Sequence, residues 1–298
     1  MENIDKCPVC GNEQAKDFMQ LQDWFLTKED FTIAQCEQCG FLYTNPRPPV
    51  NELGKYYKSE EYISHSNTSK GLINGIYKFV RAYTIKQKYQ IIKVYKSGNK
   101  ILDIGSGTGE FLNFCKHSKW EVQGIEPDED ARNFSKQEYG LPVNEEAYLQ
   151  ELQDESFDVI TMWHVLEHVP DLNKRMQTIY RLLKNKGIIV IAVPNPDSND
   201  AKYYEQYWAA YDVPRHLYHF RQKDIQKLAA KHNFHVKDVY PMKFDAFYVS
   251  MLSEKYKNGK INYWNALRRG IKSNFTAAKN TNYSSVIYIL GKDGENLK

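Results

Sequence analysis

The sequence predicts a doubly wound α/β sheet preceded by a small cysteine-bearing unit. Three observations carry this. A buried strand, a glycine turn and a helix start follow one another at 101–111. Further short apolar runs at 121–125, 159–162 and 187–193 are separated by helix-like stretches. Two Cys-x-x-Cys pairs are confined to the first forty residues.

In Ile101-Leu-Asp-Ile-Gly-Ser-Gly-Thr-Gly-Glu-Phe111, the residues Ile101, Leu102 and Ile104 read as a strand entering a tight turn. Gly105, Gly107 and Gly109 offer a backbone that takes positive φ and approaches a ligand closely. Phe111, Leu112 and Cys115 then start a helix whose free amides face that ligand. Such a turn cradles a nucleotide. Its spacing is G-x-G-x-G, not the G-x-G-x-x-G of dinucleotide sites. Asp103 beside the turn and Glu110 at the helix start would repel a pyrophosphate and favour a cationic, hydroxyl-rich ligand. The second strand ends at Glu126, 21 residues after Gly105. A carboxylate there can accept both hydroxyls of a ribose; the alternative is a helix-start charge ahead of Asp128 and Glu129. Val159, Ile160 and Met162 form the fourth, central strand, with Trp163 and His164 at its carboxyl end. In a doubly wound sheet the first and fourth strands flank the ligand crevice.

Asp103-x-Gly-x-Gly-x-Gly109 after a strand resembles the first motif of the class I S-adenosylmethionine-dependent methyltransferases. Trp163-His-Val-Leu-Glu-His-Val169 resembles their fourth. Asn99 to Pro196 carry this resemblance, with a looser continuation to the C-terminus. It implies a Rossmann-like doubly wound seven-stranded sheet with the last strand antiparallel, and S-adenosylmethionine as cofactor. By that match Asp103 helps hold the cofactor's amino group, and Gly105, Gly107 and Gly109 pass under its methionine part. Glu126 and Pro127 meet the ribose, and Trp163 and His164 line the site. A metal reading of His164, Glu167 and His168 on one helix face competes with packing and cofactor lining. The order H-V-L-E-H departs from H-E-x-x-H and favours the second.

Cys7-Pro-Val-Cys10-Gly11 and Cys36-Glu-Gln-Cys39-Gly40 match two zinc knuckles. Four soft thiolates leave no open coordination position, so structural zinc is expected on Cys7, Cys10, Cys36 and Cys39. Phe18, Trp24, Phe31 and Ile33 between the pairs suit short strands of a ribbon. The expected organisation is a zinc ribbon at 1–49, a linker or lid at 50–71 and a methyltransferase domain at 72–298. Leu72 to Tyr95 have helical apolar spacing, and Lys78, Arg81, Lys86, Lys88 and Lys93 are expected on a solvated face.

Tyr203 to Phe220 is neither regular helix nor strand, and is dense in aromatic and proton-exchanging groups. It follows the fifth strand, above the carboxyl edge of the sheet, where substrate contact is expected. Its Tyr211-Asp-Val-Pro-Arg-His-Leu-Tyr-His-Phe220 run resembles that of many small-molecule methyltransferases. Zinc-bearing sugar C-methyltransferases carry an equivalent E-H-x-x-Y-F run whose histidine deprotonates the substrate. That resemblance implies His216 as general base and Tyr211 as a positioning residue. Arg215 stands where those enzymes have glutamate, and a structural role for His216 remains the alternative.

Forty basic against 37 acidic residues give a formal charge of +3, and supply no electrostatic case for a nucleic-acid or membrane surface. No apolar run spans a bilayer and no secretory signal opens the chain, so a cytoplasmic location is expected. The function implied is methyl transfer to an O, N or C atom of a small-molecule acceptor, with oligomeric state open. An rRNA or tRNA methyltransferase competes, but the ribbon has few basic residues and no N-P-P-Y-like motif follows the fourth strand. A non-catalytic zinc-ribbon scaffold is the third reading.

Overall fold

The computed structural model of the chain describes residues 1–57, 72–95 and 97–292. Two sheets organise them. The larger is built from β4 (Lys100–Ile104), β5 (Glu121–Ile125), β6 (Val143–Asn144), β7 (Phe157–Trp163), β8 (Leu183–Pro194), β10 (Phe234–Pro241) and β11 (Ser285–Lys292). Its strand order is β10-β11-β8-β7-β4-β5-β6. β11 is antiparallel to both neighbours, while β4, β5, β6, β7 and β8 run parallel. The expected seven-stranded topology is therefore present. Every residue of β7 is buried, as a central parallel strand with both faces covered requires.

Helices cross over between the parallel strands. α3 (Glu110–His117) joins β4 to β5, α4 (Glu129–Tyr139) joins β5 to β6, and α5 (Leu172–Leu182) joins β7 to β8. Asp128 and Asp171 cap α4 and α5, accepting the backbone N–H of Ala131 (2.8 Å) and Lys174 (3.0 Å). α2 (Leu72–Val94) runs ahead of β4. α7 (Gln222–Lys231) precedes β10, and α8 (Asp245–Asn258) and α9 (Tyr263–Asn280) lie between β10 and β11. The chain leaves β4 toward β5 on one side and reaches β7 on the other, so the topological switch lies between β4 and β7.

The smaller sheet has the order β1-β2-β3-β9, all antiparallel. β1 (Ala15–Gln22), β2 (Asp30–Cys36) and β3 (Leu42–Thr44) come from the cysteine-bearing region. β9 (Tyr218–His219) comes from the predicted substrate segment, which otherwise consists of α6 (Asn199–Tyr204) and short 3-10 turns. The N-terminal strands and residues 218–219 thus share one hydrogen-bonded sheet. Of the expected linker or lid, α1 (Val50–Leu53) and a 3-10 turn at Gly54–Tyr56 form its first part; residues 58–71 lie outside the described residues.

Candidate functional site

The glycine turn sits at the carboxyl end of β4. The N–H groups of Gly105 and Ser106 both donate to the Ile125 carbonyl (2.7 and 3.0 Å), tying the turn to the tip of β5. All three glycines have positive φ. Their surroundings differ. A Cβ on Gly105 would lie 2.4 Å from Val165 Cγ2, and one on Gly109 2.7 Å from Leu141 Cδ1. One on Gly107 would meet nothing within 4 Å among the described residues. Gly105 and Gly109 are therefore required by packing, whereas Gly107 faces open space as a cradle does.

Asp103 is buried and accepts a hydrogen bond from Thr161 Oγ1 (2.5 Å). Burial raises its pKa to about 7, against the opposing effects of Thr161 and the Lys88 ammonium. Glu126 Oε2 accepts the Gly107 N–H (2.7 Å) and Oε1 the Asp128 N–H (3.0 Å). Burial raises the Glu126 pKa in spite of these amides. A carboxylate has about four lone-pair sites, so two stay available to hydroxyls. Pro127 follows on the exposed rim. Among the described residues, Ser106 Oγ in the turn and Trp163 Nε1 at the end of β7 are buried without hydrogen-bond partners. Buried polar groups of this kind normally have partners. This donor set fits S-adenosylmethionine: a buried acid for an ammonium, an open glycine, and a half-satisfied carboxylate for a ribose.

α2 differs from the expected solvated face. Arg81 forms an ion pair with Glu110, and the Lys88 ammonium lies 4.4 Å from the centre of the Trp163 ring. The helix packs beside α3, which turns part of its basic stripe onto the glycine turn and the end of β7.

His164 takes a left-handed backbone (φ 58°), and a 3-10 turn (Leu166–His168) follows it. The three residues of the metal alternative thus do not share an α-helical face. His164 lies between Glu167 (Nδ1 to Oε1, 3.4 Å) and Asp245 (Nε2 to Oδ2, 3.0 Å). Burial alone would lower its pKa, but the two carboxylates outweigh it and raise it to about 9. Asp245, at the start of α8, has no sequence motif to mark it.

The predicted substrate segment forms the other half of the site. Arg215 is buried, and its Nε and Nη2 donate to Asp212 (3.0 and 2.6 Å). Its Nη2 and Nη1 also reach Asp23 (2.8 and 3.4 Å), and Nη1 donates to the Tyr56 carbonyl (3.1 Å). Asp23 lies in the β1–β2 turn and also accepts the Phe25, Leu26 and Thr27 amides. The arginine that stands in place of glutamate is therefore a clamp between the N-terminal sheet and the substrate segment. Thr44 adds a second tie, donating through Oγ1 to the His216 carbonyl (2.7 Å).

His216 Nδ1 lies 2.9 Å from the Ala210 carbonyl. A carbonyl only accepts, so Nδ1 carries a proton, which in the neutral ring leaves the lone pair on Nε2; Asp212 Oδ2 is 4.0 Å from Nε2. His168 Nδ1 similarly meets the Arg215 carbonyl (3.0 Å) and the Tyr57 hydroxyl (2.9 Å). The two imidazoles meet edge to face at 4.6 Å. Burial and the neighbouring His216 lower the His168 pKa to about 4. Ligating atoms of Glu167, His168 and His216 all lie within 4.8 Å of one another. Tyr211 is buried, and its ring packs edge-on against Trp208 (5.0 Å) and His219 (5.5 Å).

The four knuckle cysteines converge. Cys7 and Cys39 Sγ are 3.6 Å apart, and Cys10 and Cys36 Sγ 3.5 Å. Zn–S bonds of about 2.3 Å in a tetrahedron give S···S edges of roughly 3.8 Å, so the set has the right size for zinc. Gly11 and Gly40 close the knuckles at φ 80° and 76°, donating to the Cys7 and Cys36 carbonyls (2.8 Å each).

Sheet order, the antiparallel seventh strand and the Asp103–glycine turn–Glu126 arrangement define a class I methyltransferase architecture. The chain belongs to the methyltransferase-domain family, which residues 79–239, just over half of it, match. Among curated relatives, it is 33% identical over 103 residues to an uncharacterized methyltransferase of Anoxybacillus flavithermus, covering 33% of this chain and 49% of that one. It is 36% identical over 108 residues to a ubiquinone biosynthesis O-methyltransferase of Histophilus somni, covering 32% and 45%. The chain spans about half the length of the curated relatives it matches. Two solved structures share the fold. Magnesium protoporphyrin IX methyltransferase from Synechocystis PCC 6803, with bound SAH, gives a TM-score of 0.53 at 11% identity, covering 80% of this chain and 97% of that one. Burkholderia thailandensis 1,6-didemethyltoxoflavin-N1-methyltransferase, with bound 1,6-didemethyltoxoflavin and S-adenosylhomocysteine, gives 0.51 at 16% identity, covering 90% and 98%.

Proposed function

We propose that this chain transfers the methyl group of S-adenosylmethionine to an O, N or C atom of a small-molecule acceptor. The observation that carries the reading is the open Gly107 between two acids, Asp103 and Glu126. When bound, the cofactor supplies an electrophilic methyl on a sulfonium centre. Asp103 holds its ammonium, and Glu126 with Pro127 receives the ribose. Gly105, Gly107 and Gly109 let the backbone approach, and Trp163 and His164 line the crevice. The enzyme's main task is then alignment of the acceptor with that methyl. The acceptor's lone pair would take the methyl carbon as its bond to sulfur breaks, that electron pair staying on sulfur and leaving S-adenosylhomocysteine. The acceptor proton would pass to Nε2 of His216, oriented by the Ala210 carbonyl. Tyr211 shapes the acceptor wall. Zinc on Cys7, Cys10, Cys36 and Cys39 holds the N-terminal sheet and takes no part in the chemistry.

The test is label transfer from S-adenosylmethionine into metabolite and RNA pools, paired with titration calorimetry of the cofactor. His216→Ala should lower turnover by about 10²–10⁴-fold with cofactor affinity retained. Unchanged turnover removes His216 from the base role, and label in RNA alone replaces the acceptor class.

A second reading of the same cluster rests on Glu167, whose buried Oε2 makes no hydrogen bond among the described residues and whose Oε1 faces only His164 Nδ1 at 3.4 Å. Glu167, His168 and His216 would then be ligands of a divalent cation that activates the acceptor. Metal analysis decides. A metal equivalent beyond the cysteine site that is lost in His168→Ala makes His216 a ligand and not a base.

A further inference from the structure

Helix α9 turns its small residues inward and its large ones outward. Ala266, Gly270, Ser273 and Ala277 are buried. A Cβ on Gly270 would lie 2.5 Å from Phe247 Cδ1 of α8, so small side chains are what allow the two helices to pack this closely. The opposite face carries Trp264, Leu267, Ile271 and Phe275, which are 77%, 45%, 55% and 72% exposed. At about 100° per residue these four fall within an arc of roughly 80°. Scattered exposed apolar residues need no explanation, but a continuous stripe of this kind marks an interaction surface. Arg268, Lys272 and Lys279 border one side of it, and Tyr263–Asn280 contains no Asp or Glu.

We propose that α9 docks this chain on an anionic lipid surface, with the stripe entering the acyl boundary and the basic row meeting the headgroups. Trp, Phe, Leu and Ile on one arc with Lys and Arg beside it is the composition of an interfacial helix. The charge pattern selects the occupant. A second copy seated antiparallel, stripe on stripe, would bring two basic rows together, with no acid on either helix to answer them. Among the described residues no helix is long and apolar enough to cross a membrane, so α9 lies on the surface and does not span it. The formal charge of +3 hides this, because the basic excess is local to one helix.

The helix is also fastened to the substrate segment. The Arg269 guanidinium stacks 3.3 Å from the centre of the Tyr203 ring, and Ser273 Oγ donates to Asp200 (2.5 Å). Asp200 in turn accepts from Trp208 Nε1 (2.8 Å). Docking through α9 would therefore place that segment next to the bilayer. The inference stands apart from methyl transfer, and its test reads no activity.

The full chain is sedimented with vesicles of phosphatidylcholine alone and of phosphatidylcholine with one-quarter phosphatidylglycerol, while tryptophan emission is followed. Trp120, Trp163 and Trp208 are buried and Trp24 is half-buried against Tyr207 and Tyr256, so a blue shift that Trp264→Ala removes reports on Trp264. Binding to the anionic vesicles, a blue shift, and release at about 0.5 M salt, where the screening length falls to roughly 4 Å, are expected. Trp264→Ala/Phe275→Ala and Arg268→Gln/Lys272→Gln should each weaken binding by about tenfold or more with unchanged thermal unfolding. No binding to anionic vesicles overturns the proposal. So does a dimer in sedimentation equilibrium that Trp264→Ala/Phe275→Ala abolishes, which would make a second copy the occupant.

Discussion

Replacing Arg215 with methionine keeps most of the side-chain volume and removes the one cation that joins Asp23, Asp212 and the Tyr56 carbonyl. Breaking a buried ion pair by removing one partner costs about 3–5 kcal/mol, because the charge left behind is uncompensated. The value belongs near the lower end here. Asp23 keeps three backbone amides and the Thr27 hydroxyl, so only part of its stabilisation is lost. About 3 kcal/mol corresponds to a fall in Tm of roughly 5 °C for 298 residues unfolding together. Urea unfolding at pH 7, followed by circular dichroism, measures it. The pH dependence adds a sign. Burial would raise the Asp23 carboxyl, but Arg215 and the amides outweigh it and hold it below its ordinary 3.8. A depressed folded pKa gives stability that is present above 3.8 and lost as pH falls through the folded value. The gap between wild type and Arg215→Met should therefore be constant at neutral pH and close in strong acid. Because the clamp holds the substrate segment and not the glycine turn, cofactor affinity should survive while acceptor turnover falls. A variant as stable as wild type at pH 7 would refute the clamp.

Asp103 provides a second pH signature. Its pKa of about 7 means that the empty site is stabilised by protonation below 3.8 and loses that contribution as pH rises through 7. Cofactor binding to the carboxylate runs the other way, weakening up to about tenfold per pH unit below 7, and Asp103→Asn should flatten both trends in calorimetry. Gly107→Ala should cost only about 1 kcal/mol of stability, for its left-handed backbone, yet abolish cofactor binding. Gly105→Ala, which drives a Cβ onto Val165, should cost about 3 kcal/mol in the same unfolding assay. Zinc loaded onto the four thiolates should be released by Cys36→Ser, with acceptor turnover falling far more than cofactor affinity; equal losses would place the effect of the substitution elsewhere.

What was legible in the chain was local. The glycine turn, the buried run of β7 and the two knuckles announce themselves within a dozen residues, because steric freedom, burial and thiolate spacing act over that range. β6 was missed, since two residues show no period. Lys88 and Arg81 were expected in solvent, because helical spacing tells which residues share a face but not what a neighbouring helix brings to it. Asp245 faces His164 from 81 positions away, and Asp23 reaches Arg215 across 192. Such pairings are set by the packing of whole elements and leave no local pattern. The left-handed backbone at His164 is likewise invisible in the letters, and it removes the helix on which the His164–Glu167–His168 alternative depended.

The pairing of β3 with β9 has a consequence for synthesis. Tyr43 of β3 pairs with Tyr218 and Leu42 with His219, some 175 residues later, so the first three strands emerge long before the segment that completes their sheet. Until then β3 presents an open edge, a template for pairing with any other extended chain. Cys7, Cys10, Cys36 and Cys39 are all made within the first forty residues, so a metal taken up by their thiolates would hold these strands together during that wait. So loaded, the thiolates would act as a timing device, guarding an unfinished edge until translation delivers its missing strand.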